Sequence, residues 1–336
     1  MSIAPETARL YALADELYRL APWDWMEETD LVAVRLPGSG ELVYVSIMGQ
    51  GGEHRALSLY LGEDPLGKFN RVQLEGGCAE GDVMRLVLES RQLQLSFKER
   101  RDLEKADLAA IKALGRKYRG ENWPCFQSYH PGRAAGPLSP EETAWLTVAC
   151  EQLLVVAPQL EKDGEATLKN GSKGLEILCR EQQADGAWKD VWLPFKIVPH
   201  VFPSPQCNEI LAAKVAKYTD KARLECLFNI LPNPVGPRYG ERTYSYLMLV
   251  ADADTGIMYG MDLLSVEGQS FDEMIASVPN RFLAIVDKAG VRPLSIDCAS
   301  IATCELLHSP ACALEISVEC YEALPLMDSI LDSIPM

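Results

Sequence analysis

The chain of 336 residues is acidic, because 48 Asp and Glu outnumber 32 Lys and Arg and give a formal net charge of −16. Nucleic-acid affinity comes chiefly from Lys and Arg side chains that neutralise phosphates, so this charge disfavours a general nucleic-acid binder. The length and the hydrophobic fraction of 48% are those of two or three ordinary globular domains. No apolar stretch approaches the roughly 20 residues of a membrane span, so no membrane partner is predicted.

The N-terminal part predicts one helix followed by a sheet. Apolar residues recur at helical spacing over 5–21 and stop at Pro22. Strand-like runs follow at 31–36, 42–48 and 56–61, which predict a three-stranded antiparallel meander. Helix-forming composition dominates 82–118, with one strand-like run at 93–97.

The middle of the chain opens with a loop-like segment. Residues 119–137 concentrate Gly, Pro and aromatic side chains, which predicts a connector. Ser139 and Glu142 form a capping box around Pro140, so a helix is predicted to start there. Asp185-Gly186 predicts a hairpin between runs at 175–179 and 188–195, and a further strand over 224–230 stops at Pro232.

The C-terminal part alternates strands and helices. A hairpin is predicted around 254–256, followed by a helix that is capped by Ser270 and Glu273 and ends at Gly290. Further strands are predicted at 292–297 and 314–319, separated by a short helix near Glu305 and followed by a last helix. The order ββαβαβα is typical of a mixed sheet with crossover helices.

These elements predict an α/β chain that is mixed α+β overall. The predicted domains are an N-terminal α+β domain over 1–118, a middle α+β region over 119–240 and a C-terminal α/β domain over 241–336. The sequence leaves open whether residues 1–240 form one domain or two.

The ten cysteines indicate a reducing compartment. Most lie in apolar runs, as small buried thiols do, and the chain does not start with the charged-then-apolar pattern of a signal peptide, so we expect a cytoplasmic protein. Cys298, Cys304, His308 and Cys312 lie within fifteen residues and offer soft metal ligands. We favour buried thiols over a metal site, because Pro310 is expected to interrupt a helix there and structural zinc normally uses closely spaced pairs.

Several short motifs resemble an uncharacterised bacterial protein family. They are the runs at 22–25, 45–49, 59–62 and 123–132, and the pairs at 251–252 and 255–256. The resemblance covers most of the chain. It implies a bacterial cytoplasmic protein, and it transfers no catalytic residues because the family has no known activity.

Familiar catalytic motifs are missing from the sequence. There is no phosphate-binding GxxxxGK[ST] loop, HExxH zinc helix, CxxC pair or GxSxG nucleophile elbow. Residues 49–54 are a near miss to a dinucleotide fingerprint and residues 252–263 are a near miss to a calcium loop, and we interpret both as ordinary turns. No cofactor is therefore predicted, with Mg²⁺ as the alternative.

The enzymatic alternative is a metal-dependent phosphodiester hydrolase. The C-terminal order resembles part of the ribonuclease-H-like fold, with Asp252 after one predicted strand and Asp297 at the end of another. Carboxylates on neighbouring strand ends hold Mg²⁺ ions in two-metal sites. Against this alternative, Asp252 falls in a hairpin turn, where Asp is ordinary because its side chain bonds nearby amides.

The leading hypothesis is a binding module without catalysis, whose partner is a protein or a small molecule. Aromatic and Arg side chains are the residues that binding hot spots use. The candidates are Trp23, Trp25, Trp123, Tyr129, His130 and Arg133, and the competing interpretation is that these aromatics anchor connectors onto the core. A basic stretch from Lys98 to Arg119, with eight cations against four acids, is interpreted as a solvated surface.

Overall fold

The computed structural model describes residues 3–52, 54–74, 80–163, 167–172, 174–237 and 240–333. It is mixed α+β, as the sequence predicts, and it divides into two compact units. The N-terminal unit comprises residues 1–73, 90–130 and 135–200. The C-terminal unit comprises residues 74–89, 131–134 and 201–336.

The helices and strands alternate along the whole chain. The helices are α1 (Pro5–Leu20), α2 (Glu63–Leu74), α3 (Glu80–Leu88), α4 (Lys105–Ala113), α5 (Pro140–Asp163), α6 (Glu209–Val215), α7 (Phe271–Ala289), α8 (Ile301–Leu314) and α9 (Pro325–Ser333). The strands are β1 (Val32–Arg35), β2 (Leu42–Met48), β3 (Ala56–Leu61), β4 (Gln92–Lys98), β5 (Trp123–Tyr129), β6 (Leu168–Gly171), β7 (Gly174–Gln182), β8 (Trp188–Pro194), β9 (Asp220–Ile230), β10 (Ser245–Asp252), β11 (Met258–Ser265), β12 (Val291–Cys298) and β13 (Ser317–Cys320).

The N-terminal unit is built on one mixed sheet in the order β5-β4-β3-β2-β1-β7-β6, with β8 paired to β7. Consecutive strands from β1 to β5 are antiparallel, and β1 also pairs in parallel with β7. Apolar residues at alternate strand positions share one face, where side chains of α1 and α5 pack on them. The core there includes Leu10, Leu17, Val34, Val45, Leu59, Leu95, Leu146 and Leu153.

The predicted caps set the helix boundaries. The Ser139 backbone amide donates to Glu142 at 2.7 Å and the Glu142 amide donates to Ser139 Oγ at 3.2 Å, so the capping box of α5 is confirmed. Ser270 and Glu273 form the same reciprocal pair at the start of α7. Gly290 ends α7 with φ 71°, a left-handed conformation that favours glycine.

The C-terminal unit is built on a second mixed sheet in the order β11-β10-β9-β12-β13. β9, β10 and β11 are antiparallel, whereas β12 is parallel to both β9 and β13. One face carries the larger core, to which α3, α6, α7 and α8 contribute, and the other packs against α9. We refer to these as the helix face and the α9 face.

An acidic side chain from the N-terminal part of the sequence completes the first turn of α8. Asp82 on α3 accepts hydrogen bonds from Ser300 Oγ at 2.6 Å and from the Ile301 amide at 3.1 Å. Ser300 itself caps the Thr303 amide at 3.2 Å. The first backbone amides of a helix have no partner within the helix. At the start of α8, Asp82 and Ser300 of the same compact unit accept hydrogen bonds from two of them.

The structure corrects three predicted elements. Residues 123–129 of the predicted connector form β5, which pairs with β4 along its length. Because β5 is the edge strand of the sheet, the backbone N–H that Pro124 lacks is not needed for pairing. The predicted three-stranded meander therefore continues through β4 and β5. The helix near Glu305 is α8, which continues through Pro310 because its buried Leu306, Leu307 and Ala311 pack on the sheet, so the last strand starts only at Ser317.

The compact units follow different boundaries from the predicted domains. The predicted boundary at 240 separates β9 from β10, and these strands are hydrogen-bonded neighbours in one sheet. The predicted range 1–118 includes α3, whose Met84 and Leu88 pack against the core of the C-terminal unit.

A basic and aromatic pocket as the candidate binding site

An open pocket of about 870 Å³ lies on the N-terminal unit where the basic stretch meets the start of β5. A short 3-10 turn over Arg100–Asp102, helix α4 and the loop before β5 supply its walls. It is lined by Glu99, Arg100, Arg101, Leu103, Leu108, Tyr118, Arg119, Gly120 and Trp123. The pocket therefore combines guanidinium groups, two aromatic rings and two leucines within 25 consecutive residues.

The aromatic wall is held in place from α1. The rings of Tyr118 and Trp123 lie 5.7 Å apart between centroids at 60°. Tyr118 donates its hydroxyl hydrogen bond to Asp15 Oδ1 at 2.9 Å, and Arg116 also pairs with Asp15. Burial raises the pKa of Tyr118 above its ordinary value, so this hydroxyl stays protonated and remains a donor at neutral pH. The wall is pre-organised before any ligand binds.

The guanidinium groups make the pocket positive. Arg100 lies over the Trp123 ring, with Cζ 5.9 Å from the centroid, as in a cation–π contact. Arg101 pairs with Glu99 at 2.9 Å, which cancels one of the three arginine charges. Arg100 and Arg119 supply the remaining positive charge. An anionic group that enters the pocket meets two exposed guanidiniums beside an aromatic surface.

Trp23 and Trp25, two of the predicted binding residues, pack inside the N-terminal unit. Trp23 is 5% exposed and lies against Tyr18 and Phe97, with ring centroids 5.8 Å and 5.5 Å away. Trp25 is half-buried and its indole N–H donates to the Ala157 carbonyl at 3.3 Å. For these two side chains the geometry agrees with the interpretation that aromatics anchor the core.

The other predicted binding residues are dispersed. Tyr129 at the end of β5 bonds the amide oxygens of Gln94 and Gln127 at 3.4 Å and 3.3 Å. His130 is exposed and lies 3.6 Å from Glu142. Arg133 belongs to the C-terminal unit and pairs with Glu241. Of the six candidates, the structure places only Trp123 in the pocket.

The two candidate catalytic carboxylates lie on opposite faces of the C-terminal sheet. Asp252 and Ile296 share the register partner Leu224, so Asp252 lies on the helix face and the next residue of β12, Asp297, lies on the α9 face. The neighbour of Asp297 in register is Glu225 of β9. The hydrolase alternative therefore finds no support in this geometry.

Both aspartates have protein partners already. Asp252 accepts hydrogen bonds from the Asp254 and Thr255 amides and from Tyr259, whose hydroxyl lies 2.8 Å away. Burial raises the pKa of Asp252, but these bonds outweigh it and leave the pKa below its ordinary value. Asp297 accepts a hydrogen bond from Arg223 at 3.3 Å. Among the residues that the structure describes, no group of three or more His, Cys, Asp or Glu is arranged to hold a metal ion.

Sequence reasoning missed Tyr118 and the three pocket arginines as binding residues. It interpreted their stretch as solvated, which is the usual behaviour of a charged helix face. The available signal was the excess of cations over 98–119 in an otherwise acidic chain, directly before Trp123. The folded turn and loop bring the guanidiniums and the ring to one place, and composition alone does not reveal that placement.

The fold is mixed α+β, and the N-terminal unit carries an open pocket lined by arginine and aromatic side chains. A family model for a domain of unknown function, DUF7309, matches residues 8–180, and a second domain of unknown function, DUF6930, matches residues 211–335. The first model spans about half of the chain, and the chain belongs to the DUF7309 family. No curated protein and no solved structure matches it. In the described residues no helix is both long and apolar enough to cross a bilayer.

Proposed function

We propose that the protein is a cytoplasmic binding module that captures an acidic segment of a partner protein in the pocket around Arg100, Arg119 and Trp123. The observation that carries the proposal is that three arginines line one pocket together with two aromatic rings, in a chain whose net charge is −16. A positive site on such a chain is selective for anionic groups, because the surrounding surface attracts cations instead.

The residue types favour a protein partner. Trp, Tyr and Arg carry most of the binding energy at protein interfaces, and charged groups around them set specificity. The pocket is open and lies on the surface, whereas small-molecule sites are usually enclosed and bury most of the ligand. An acidic segment with one aromatic residue places its carboxylates on the guanidiniums and its ring beside Trp123.

The leucines supply the apolar part of the site. Leu103 is buried and Leu108 is half-buried, and both pack in the small cluster that includes Tyr11 and Ile111. Both leucines line the pocket, and their packing in this cluster holds their side chains in place. An aromatic side chain of the partner therefore finds a firm apolar surface flanked by positive charge.

Equilibrium binding of a labelled peptide tests the proposal. The probe is a fluorescein-labelled peptide of alternating Glu and Phe, compared with the same peptide carrying Gln in place of Glu, with binding followed by fluorescence anisotropy. We expect the Glu peptide to bind, and the double variant Arg100→Glu with Arg119→Glu to weaken it at least about tenfold. The Gln peptide should bind weakly to both proteins.

Lys117→Glu is the matched control, because Lys117 is exposed in the same stretch and does not line the pocket. It should leave the affinity for the Glu peptide within about twofold of the unmodified protein, because a rim charge contributes little. The proposal fails if the unmodified protein does not bind the Glu peptide, or if Lys117→Glu weakens binding as much as the double variant does.

A further inference from the structure

Three cysteines lie side by side at the ends of adjacent strands in the C-terminal unit. Cys298 of β12 is the register partner of Cys226 on β9 and of Cys320 on β13. Register partners on parallel strands project to the same face. All three thiols therefore share the helix face, where Cys226 and Cys298 are completely buried and Cys320 is exposed.

A fourth thiol reaches this row from the helix above it. Cys304 lies in the first turns of α8, where its amide donates to the Ser300 carbonyl at 3.1 Å, and its side chain packs against the core that contains Cys226 and Cys298. Helix α8 packs on both β12 and β13, so Cys304 lies over the row and interacts with the thiols of Cys298 and Cys320. Cys304 is half-buried and Cys320 is exposed, so solvent reaches this group of thiols.

The surroundings shift the pKa values of Cys304 and Cys320 in opposite directions. Hydrogen bonds from Cys298 and Cys320 lower the pKa of Cys304 below its ordinary value, although burial and the nearby Asp82 oppose this. Burial raises the pKa of Cys320 to about 11, so it remains a protonated donor. Cys304 is therefore the thiol of this group that most readily becomes the nucleophilic thiolate.

We propose that Cys304 and Cys320 form a reversible disulfide and that this pair is a thiol redox site for hydroperoxides. Cys304 is the attacking sulfur because solvent reaches it and it lies over the row of thiols. Cys320 is the resolving sulfur because it is exposed and lies on β13, on which α8 packs. Cys298 is enclosed by the core, between Cys226 and Cys320 in strand register, and is not available to the oxidant.

The chemistry balances with hydrogen peroxide as the oxidant. The Cys304 thiolate attacks one peroxide oxygen, the O–O bond breaks, and with one proton the products are Cys304 sulfenic acid and water. The Cys320 sulfur then displaces the sulfenic hydroxyl, which leaves as a second water with the Cys320 proton. Two thiols are oxidised by two electrons in total, and a thiol reductant reverses the step by exchange.

The disulfide would join two elements that now meet only by packing. It joins residues 16 positions apart, one on α8 and one on the edge strand β13, and α9 begins five residues after Cys320. A cross-link across this span restricts the unfolded chain. Oxidation is therefore expected to raise the melting temperature of the C-terminal unit and to fix the strand that precedes α9.

Thiol mapping tests the proposal on the full-length protein. The reduced protein is treated with one equivalent of hydrogen peroxide, the remaining thiols are alkylated, and non-reduced peptides are identified by mass spectrometry. We expect loss of the Cys304 and Cys320 thiols, a cross-linked peptide that joins them, and its disappearance on adding dithiothreitol. Cys320→Ser should instead leave a sulfenic acid on Cys304 that a dimedone probe captures.

Cys312→Ser is the matched control, because Cys312 is exposed on the same helix and its sulfur lies 3.4 Å from His308 Nε2. It should leave the cross-link unchanged. Alkylation rates of the unmodified protein add a test that needs no variant: Cys304 should be modified faster than Cys312 at neutral pH, despite its lower exposure. A slower Cys304, a cross-link to Cys298, or purified protein that carries stoichiometric zinc on these thiols would overturn the proposal.

Discussion

The pocket of the N-terminal unit and the cysteine row of the C-terminal unit are assembled in opposite ways. The pocket comes from one short stretch, residues 99–123, whose long side chains stand on a turn, a helix and a loop. The cysteine row comes from three strands and a helix that are far apart in sequence, and it depends on strand register. A local site tolerates changes elsewhere in the fold, whereas a site made by register depends on the whole sheet.

The largest expected effect is a loss of stability in the core of the C-terminal unit, and it should leave peptide binding by the N-terminal pocket intact. Arg85 on α3 is 2% exposed, pairs with the buried Glu89 at 3.1 Å and lies over the Phe228 ring at 5.3 Å. Arg85→Ala breaks a buried ion pair and should lower the free energy of unfolding by about 3–5 kcal/mol, measured by chemical denaturation. The pocket should still bind the Glu peptide.

A compensating variant sharpens that prediction. Arg85→Met combined with Glu89→Leu removes both charges together, and replacing a whole buried pair with apolar side chains is often neutral. The double variant should therefore recover most of the lost stability. If it is no more stable than Arg85→Ala, the ion pair does not account for the loss, and the packing of α3 does.

A smaller effect is expected at the centre of the pocket. Trp123→Leu removes the ring that Arg100 covers. It should weaken binding of the Glu peptide by about 2 kcal/mol, roughly thirtyfold in affinity, which is typical of an aromatic hot spot. Trp192→Leu, in β8, is the matched control and should leave the affinity unchanged, because Trp192 does not line the pocket. Equal effects of the two variants in the anisotropy titration would contradict the assignment of the site.

The smallest expected effect is a change in how stability depends on pH, caused by Asp64 of the N-terminal unit and its partners His200 and Lys68. Burial raises the pKa of Asp64, but hydrogen bonds from His200 and Lys68 lower it to about 2, below the ordinary 3.8. A depressed folded-state pKa adds stability above the unfolded value, and this is lost as pH falls from about 4 towards 2.

Thermal unfolding across that pH window tests the pair. Asp64→Asn should show a shallower fall of melting temperature between pH 4 and pH 2 than the unmodified protein does. Asp185→Asn in the β7–β8 turn provides the control and should leave the slope unchanged. The Asp185 side chain is exposed and accepts a hydrogen bond from the Ala187 amide at 3.0 Å, which the Asn side-chain oxygen can also accept. Identical slopes for all three proteins would show that the pair contributes nothing.

Local signals in the sequence predicted much of the fold. The capping residues Ser139 and Ser270 predicted the starts of α5 and α7, and strand-like runs predicted β2 and β3 at their observed bounds. The strand β5 was missed because the Pro and Gly residues in and after it are typical of loops. Pairing with β4 determines that strand, and pairing is not encoded locally.

The candidate sites were less accessible to sequence reasoning. Trp123 was predicted to bind, but so was Trp23, since sequence does not distinguish a ring that faces the core from one that faces solvent. Of these two thiols, which the sequence interpretation took as buried, Cys298 is buried and Cys304 is half-buried. Their meeting with Cys320 follows from the parallel register of β12 and β13, and no spacing along the chain reveals it.

The most direct test of the binding site is the set of tryptophan indole N–H signals in a nitrogen-15 correlation spectrum of the full-length protein. Single Trp→Phe variants assign the signals, and the unlabelled Glu and Phe peptide is then titrated. The account predicts that the Trp123 signal shifts with peptide concentration while those of Trp23, enclosed in the core, and Trp25, bonded to Ala157, stay in place. A shift confined to any other tryptophan, or no shift at saturating peptide, would contradict it.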